Sequence, residues 1–417
     1  MKSEGRPLKK TALVVNAGTH PEPYQVAVGL AEIGWAVDYL TGSQFAPSEM
    51  TRALLTVIPV RLRSFISARL LGDDVTRLNQ FFYAGFGFEF LYLLLRNRVP
   101  ACADKALARR TRRVARRAVK LVTRGAAYDV VIAQHTSAIL PFSSAPRGTG
   151  RVLLQPILDA GTLNSVLRAE AAANPSWADL LPPPVDAKLQ EGEIETADLV
   201  ITGSELVAQP IRDRYGKPAF SAHYGGPDVS SVDMRRPSDR LGPLQVLFAG
   251  QVNQRKGIGY LLDAVRGFEP TLELRVAGQA GDLVKRRAAD LPHVTFLGAL
   301  SRADLEREYR QADVLVLPSL AEGFALVVTE AMSTGLPCIV TNRTGAHEVI
   351  RPGENGFVVD AGDTAALRSE LERVLADRAT LGIVGERARA TAGSLTWRKF
   401  REAVAVRIDR HQFGNTE

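Results

Sequence analysis

Two glutamates with seven residues between them, Glu322 and Glu330, stand directly after the apolar run that ends in Leu317-Pro318-Ser319. The first falls in a loop and the second inside a helix predicted over 326–333. A helix start leaves backbone N–H groups unpaired and presents the positive end of the helix dipole. The main chain of Gly323, Phe324, Ala325 and Leu326 can therefore hold a diphosphate, with glycine at 323 permitting close approach. About two helical turns further on, a carboxylate at 330 can accept the paired hydroxyls of a ribose. In isolation such a pair of glutamates is more often a helix cap and a solvated surface charge, so the surrounding sequence decides.

A second constellation is Gly250-Gln251-Val252-Asn253-Gln254-Arg255-Lys256-Gly257, a loop following an apolar strand. Cations at the carboxyl end of a strand can neutralise the two phosphates of a nucleoside diphosphate as a bond to it breaks, so Arg255 and Lys256 are candidates for stabilising a leaving group. Alone, the same residues would read as a solvated turn.

Both constellations need a scaffold that brings loops together. Short apolar runs at 11–15, 36–40, 129–133, 152–155 and 199–202 alternate with helical stretches, the pattern of a parallel sheet covered on both faces. The alternation restarts at Gln245 and continues through strands at 272–277, 294–297, 314–318 and 337–341. This predicts an α/β architecture of two doubly wound, Rossmann-like domains, residues 1–225 and 226–394. The change-over is expected at Tyr224-Gly225-Gly226-Pro227-Asp228, where glycines and a proline cluster. Phe400, Val404 and Ile408 recur at helical spacing near the C-terminus, so residues 395–417 should form an amphipathic helix that packs back on the first domain. Two such domains face each other across a cleft at the carboxyl ends of their strands, where open sheets bind ligands.

The chain has 417 residues and a formal net charge of +7. The whole excess lies in residues 1–225, where 27 Lys and Arg face 20 Asp and Glu. Eleven cations crowd into 96–124 against the single Asp104. As a helix, this segment puts Leu107, Thr111, Val114, Ala118 and Leu121 on one stripe, with Arg109, Arg110, Arg112, Arg113, Arg116, Arg117 and Lys120 around it. Together with Phe81, Phe82, Phe86, Phe88, Phe90, Leu91 and Tyr92 it points to docking on an anionic membrane surface; a core-packed stripe with an exposed charged face is the equal alternative. Nucleic acid is disfavoured, because the aromatics do not interleave with the arginines. The apolar stretch from Phe81 to Leu95, interrupted by Glu89, is too short to span a bilayer. A polar N-terminus without a signal sequence and two distant cysteines, Cys102 and Cys338, predict a cytoplasmic protein, peripheral at most on the inner face of a membrane. No D-x-D, H-E-x-x-H or H-x3-H spacing occurs, so no metal is expected, and the absence of a G-x-S-x-G elbow, Walker loop or G-x-G-x-x-G weakens hydrolase, NTPase and dehydrogenase readings.

With its flanks, the segment around Glu322 resembles the signature of the GT-B glycosyltransferases of family 4. The flanks are ADVLVLPS before it and EAMSTGLPCIVTNRTGAHEVIRPGENGFVVDAGD running on from Glu330. The resemblance is strong from Val246 to Asp363 and moderate over the first half. It implies a GT-B fold and a retaining transfer of a sugar from a nucleoside-diphosphate donor to a hydroxyl acceptor, such as a glycan or lipid-linked glycan, without cofactor or metal. It further implies that Glu322 contacts donor-sugar hydroxyls, that His135 reaches the sugar from the opposite domain, and that Gly250 and Gly18 lie in loops against the diphosphate. Similar enzymes usually carry an arginine where this chain has Gln251, leaving Arg255 to substitute. An epimerase or hydrolase of nucleotide sugars on the same fold, or a catalytically silent subunit of a polysaccharide assembly, are the alternatives.

Overall fold

The computed structural model describes residues 9–47, 69–95, 99–124, 127–234 and 242–414. Among these, the first half of the chain supplies β1 (Thr11–Asn16), β2 (Ala36–Thr41), β3 (Gln80–Tyr83), β4 (Val130–Gln134), β5 (Gly150–Gln155), β6 (Leu199–Thr202) and β7 (Ala219–Ser221). They form one sheet in the order β3-β2-β1-β4-β5-β6-β7, with every pairing parallel. The second half supplies β8 (Leu244–Ala249), β9 (Leu272–Ala277), β10 (Val294–Gly298), β11 (Val314–Leu317), β12 (Cys338–Thr341) and β13 (Phe357–Val359). These form a second parallel sheet in the order β10-β9-β8-β11-β12-β13. Both orders reverse direction at an inner strand, β1 in one sheet and β8 in the other. The α/β, doubly wound expectation is therefore met in both halves.

The central strands are apolar on both faces because helices cover both sides: Leu13, Val14, Val131 and Ile132 are fully buried in one sheet, Leu247, Phe248, Leu315 and Val316 in the other. Trp397–Phe413 is a helix, capped by the Thr396 side chain, which accepts from the Lys399 amide. It lies against the Glu22–Glu32 helix of the first domain. Phe400, Val404 and Ile408 point into the first domain's core, and Asp409 accepts hydrogen bonds from Lys10 and Trp35. The returning C-terminal helix is thus present. At the chain crossing, the Gly226 amide donates to the Leu395 carbonyl, tying the two connections side by side.

Two expectations need correction. The apolar stretch 81–95 is not one element. Phe81 and Phe82 belong to β3, in register with Tyr39 and Leu40, and a helix runs from Phe86 to Leu95. The Phe81 ring lies 5.5 Å from that of Tyr39, and Phe82 packs on the opposite face of the sheet, so both rings are half-buried against the first domain. The side chains of Phe86 and Phe90 lie outside the described residues. The second correction is Arg110, which is not on the exposed basic face. It is buried and ion-paired with Glu89, which also accepts from Arg69 at 2.9 Å. That pairing explains an acid inside an apolar stretch: a buried charge requires a partner. No helix among the described residues is long and apolar enough to cross a membrane.

Phe400 is 2% exposed and makes edge-on ring contacts with Tyr224 and Trp397 at 5.5 Å each. Phe400→Ala is expected to lower unfolding free energy by about 3–5 kcal/mol, seen as a reduced urea midpoint with an unchanged slope.

Candidate functional site

The loop after β8 turns through Gln254–Lys256, where the Asn253 side chain accepts from the Lys256 amide at 3.0 Å. Gly257 ends the turn with φ +75°, and a Cβ there would lie 1.9 Å from the Pro318 carbonyl. Only glycine lets this turn lie against the end of β11. That contact sets Arg255 and Lys256 beside the loop carrying Glu322. Arg255 Nη1 donates to Glu322 Oε2 at 3.0 Å and to the Ala321 carbonyl at 2.7 Å, and Lys256 Nζ pairs with the same Glu322 oxygen. All three side chains are nearly enclosed. Burial alone would raise the Glu322 carboxyl, but the Lys256 and Arg255 charges and their hydrogen bonds outweigh it and hold the group below its ordinary range. Burial pushes Lys256 down, and the Glu322 carboxylate offsets part of that. The group is one carboxylate shared by two cations, with a net positive charge. Gly250 lies next to it, with Lys256 Cε 4.0 Å from where a Cβ would be. Gln251 is exposed and its side chain accepts from Asn253, outside the cluster.

Gly323 follows at once. A Cβ there would lie 1.7 Å from the Pro156 carbonyl in the loop after β5, so the loops of the two domains touch backbone to backbone. The Gly323 carbonyl accepts from Ser204 Oγ at 2.6 Å, also from the first domain. Phe324 is buried between the domains, its ring stacked on His223 at 5.4 Å and edge-on to Tyr224 at 5.6 Å. Ala325, at φ +70°, turns the chain into the Leu326–Ser333 helix. The segment expected to grip a diphosphate thus starts a helix at the domain junction, but the Phe324 side chain serves to wedge the domains together.

Glu330, inside that helix, stands apart from the charged trio, in a small recess with Tyr309, Arg302 and Pro227. Tyr309 Oη donates to Glu330 Oε2 at 3.2 Å. Burial raises the Glu330 carboxyl, which Arg302 and the Tyr309 hydrogen bond partly oppose. Tyr309 is a residue the sequence reading missed; nothing marks it but its place on the helix before β11.

On the first domain, His135 follows β4, its amide donating to the Leu154 carbonyl. Its Nδ1 is buried without a hydrogen-bond partner, and burial together with nearby His20 lowers its pKa to about 4. The next residue, Thr136, has φ +72°, a costly conformation for a β-branched side chain. The buried Glu193 carboxylate fixes it by accepting from the Thr136, Ala138 and Ile139 amides. Burial nonetheless leaves Glu193 raised. Gly18 lies within contact of Gln134, but its amide already donates to Asn16 and its carbonyl accepts from Ser43. Its own N–H is thus engaged within the loop. Glu22, also unforeseen, is buried nearby, its Oε2 without a hydrogen bond and 3.9 Å from His20 Nδ1, and burial raises its carboxyl.

Residues 243–377 match the family model described as Glycosyl transferases group 1. A phosphatidyl-myo-inositol mannosyltransferase of Mycobacterium leprae is 34% identical over 154 residues, 35% of this chain and 41% of that protein. A D-inositol 3-phosphate glycosyltransferase of Mycobacterium sp. (strain KMS) is 30% identical over 236 residues, 52% of each. The chain spans about half or less of the length of these curated relatives. Among solved structures, sucrose-phosphate synthase from Thermosynechococcus elongatus aligns over 97% of this chain and 98% of its own, at 20% identity and a TM-score of 0.60. Anabaena HepE in complex with UDP aligns over 96% and 100%, at 16% identity and 0.59. The chain has the GT-B fold.

A histidine depressed from 6.5 to about 4 binds fewer protons folded than unfolded between those values. Its contribution to stability is intact above pH 6.5 and is lost as pH falls toward 4, by up to roughly 3 kcal/mol. Glu22 and Glu193, raised by burial, act with the opposite sign, so the readout is a difference. Urea unfolding of wild type and His135→Asn across pH 4–7 should show stabilities converging toward acid if His135 behaves this way.

Proposed function

We propose that this chain is a retaining glycosyltransferase that moves a sugar from a nucleoside-diphosphate donor to a hydroxyl of a glycan or lipid-linked glycan, as enzymes of family 4 do. The observation that carries the reading is the cationic trio of Arg255, Lys256 and Glu322 beside a helix start at the junction of two facing sheets. A departing diphosphate develops negative charge, and two preorganised cations in an enclosed site stabilise that charge more than they stabilise the intact donor. The name of one structural neighbour records UDP and glucose bound on the same fold, which supports a nucleotide-sugar donor.

In this reading the diphosphate takes Lys256 and Arg255 as its partners, and Glu322 turns to the hydroxyls of the donor sugar. Glu330, positioned by Tyr309, accepts the ribose hydroxyls. His135, neutral at physiological pH, reaches the donor sugar from the opposite domain. No dedicated protein base is required, because a diphosphate oxygen on the same face can take the acceptor's proton as the new bond forms. Contact between the loops at Pro156 and Gly323 excludes water and favours transfer over hydrolysis.

Mass spectrometry of nucleotide sugars retained by the purified protein should identify the donor, and NMR of the product should show the anomeric configuration unchanged. Glu322→Gln should lower kcat by about 10²–10³ while thermal unfolding stays cooperative. Nucleotide release at the same rate with and without an acceptor would instead indicate hydrolysis, conversion of the donor to an epimeric nucleotide sugar without nucleotide release would indicate epimerisation, and inversion of the anomeric centre would exclude the retaining assignment.

A further inference from the structure

The Pro100–Arg124 helix turns Ala103, Ala106, Arg110, Val114, Ala118 and Val122 into the first domain. Of its cations only Arg110 goes with that stripe, and the fold supplies Glu89 as its partner. Six of the other cations, Arg109, Arg112, Arg113, Arg116, Arg117 and Lys120, recur three and four residues apart and line a single pocket of about 700 Å³. Among the described residues none of the six has a carboxylate partner. Pairs four residues apart (109 with 113, 112 with 116, 113 with 117, 116 with 120) repel one another along the helix. Where the fold uses a cation for its own architecture it pairs it; along this row it leaves six charges unbalanced and concave.

The shape discriminates among anions. A lipid surface meets a convex helix face, whereas here the helix and the residues after β3 border an open groove that can take one segment of a larger molecule. Guanidinium groups side by side match the oxygens of phosphate esters in paired hydrogen bonds. The rest of the wall comes from the end of β3 and the helix after it, and includes Tyr83 and Phe88, whose rings offer flat apolar faces of the kind that pack on a sugar. Arg117 is held over the Phe82 ring at 5.7 Å.

The position is also informative. β3 is the edge strand, and the order β3-β2-β1-β4 puts its carboxyl end three strand spacings, about 15 Å, from that of β4, where His135 stands. A group anchored in this pocket lies within a few sugar units of the transfer site, on the same edge of the same sheet.

We propose that this pocket binds closely spaced phosphate ester groups, such as a pyrophosphate, and that they belong to the acceptor. The assignment to the acceptor rests on the sugar-transfer reading; phosphate binding itself does not. The test is calorimetric titration of the full chain with inorganic pyrophosphate, which also probes the Arg255–Lys256 site. It is therefore run in wild type, in Lys256→Met, and in Lys256→Met combined with Arg112→Gln and Arg116→Gln, both exposed positions, with thermal melts as a folding control. The expected result is binding that persists in Lys256→Met and weakens about tenfold or more in the combined variant. Loss of all pyrophosphate binding in Lys256→Met, or binding unaffected by the two arginine changes, overturns the proposal. Sedimentation with phosphatidylglycerol vesicles is the parallel arm. Arginine-dependent sedimentation that pyrophosphate does not compete away, with no pyrophosphate binding in Lys256→Met, would assign the row to lipid docking instead.

Discussion

The arrangement depends on one carboxylate shared between two cations in a nearly enclosed place. Glu322, Arg255 and Lys256 come from loops after two adjacent strands, β8 and β11, and meet because Gly257 lets one loop pack directly on Pro318. Enclosing three charges is costly unless each is paired. Two cations to one anion leaves a net positive site, and a nucleoside diphosphate is the kind of ligand that completes it. On the proposed function, the cost of enclosing the trio is offset in part when the diphosphate binds.

The same loop is clasped by the first domain, so the site is joint property of both halves. Glu170 accepts hydrogen bonds from Gln254 and Tyr260 of the second domain, and Glu348 of the second domain caps the Glu205–Tyr215 helix of the first while pairing with His223. Trp177, early in the chain, packs into the second domain's core and donates to Asp263. Gln254 precedes the two cations, so a contact across the domains braces the turn that displays them. A change in how the domains meet would move Arg255 and Lys256 with it.

Much of this was legible in the sequence. Alternating apolar runs marked the strands at the centre of both sheets, because buried parallel strands are apolar on both faces. The E-x7-E segment and the Arg-Lys-Gly turn were readable as candidate chemistry only through their flanks, since alone they read as a capped helix and a solvated turn. The short edge strands β3, β7 and β13 were missed, since a strand of three or four residues carries little pattern. Glu193, Tyr309 and Trp177 were missed for another reason: each matters through a partner distant in sequence, and no local spacing reveals such a pairing. Arg110 was misplaced because it sits among arginines that do face out, and only its register on the helix, in line with Ala106 and Val114, separates it from them.

The most direct measurement of the central claim is a crystal structure of the protein with a nucleoside diphosphate bound. The account predicts the β-phosphate within hydrogen-bonding distance of Lys256 Nζ and the Arg255 guanidinium, with the Glu322 carboxylate displaced from at least one of them. A diphosphate bound elsewhere while Glu322 keeps both cations would contradict it.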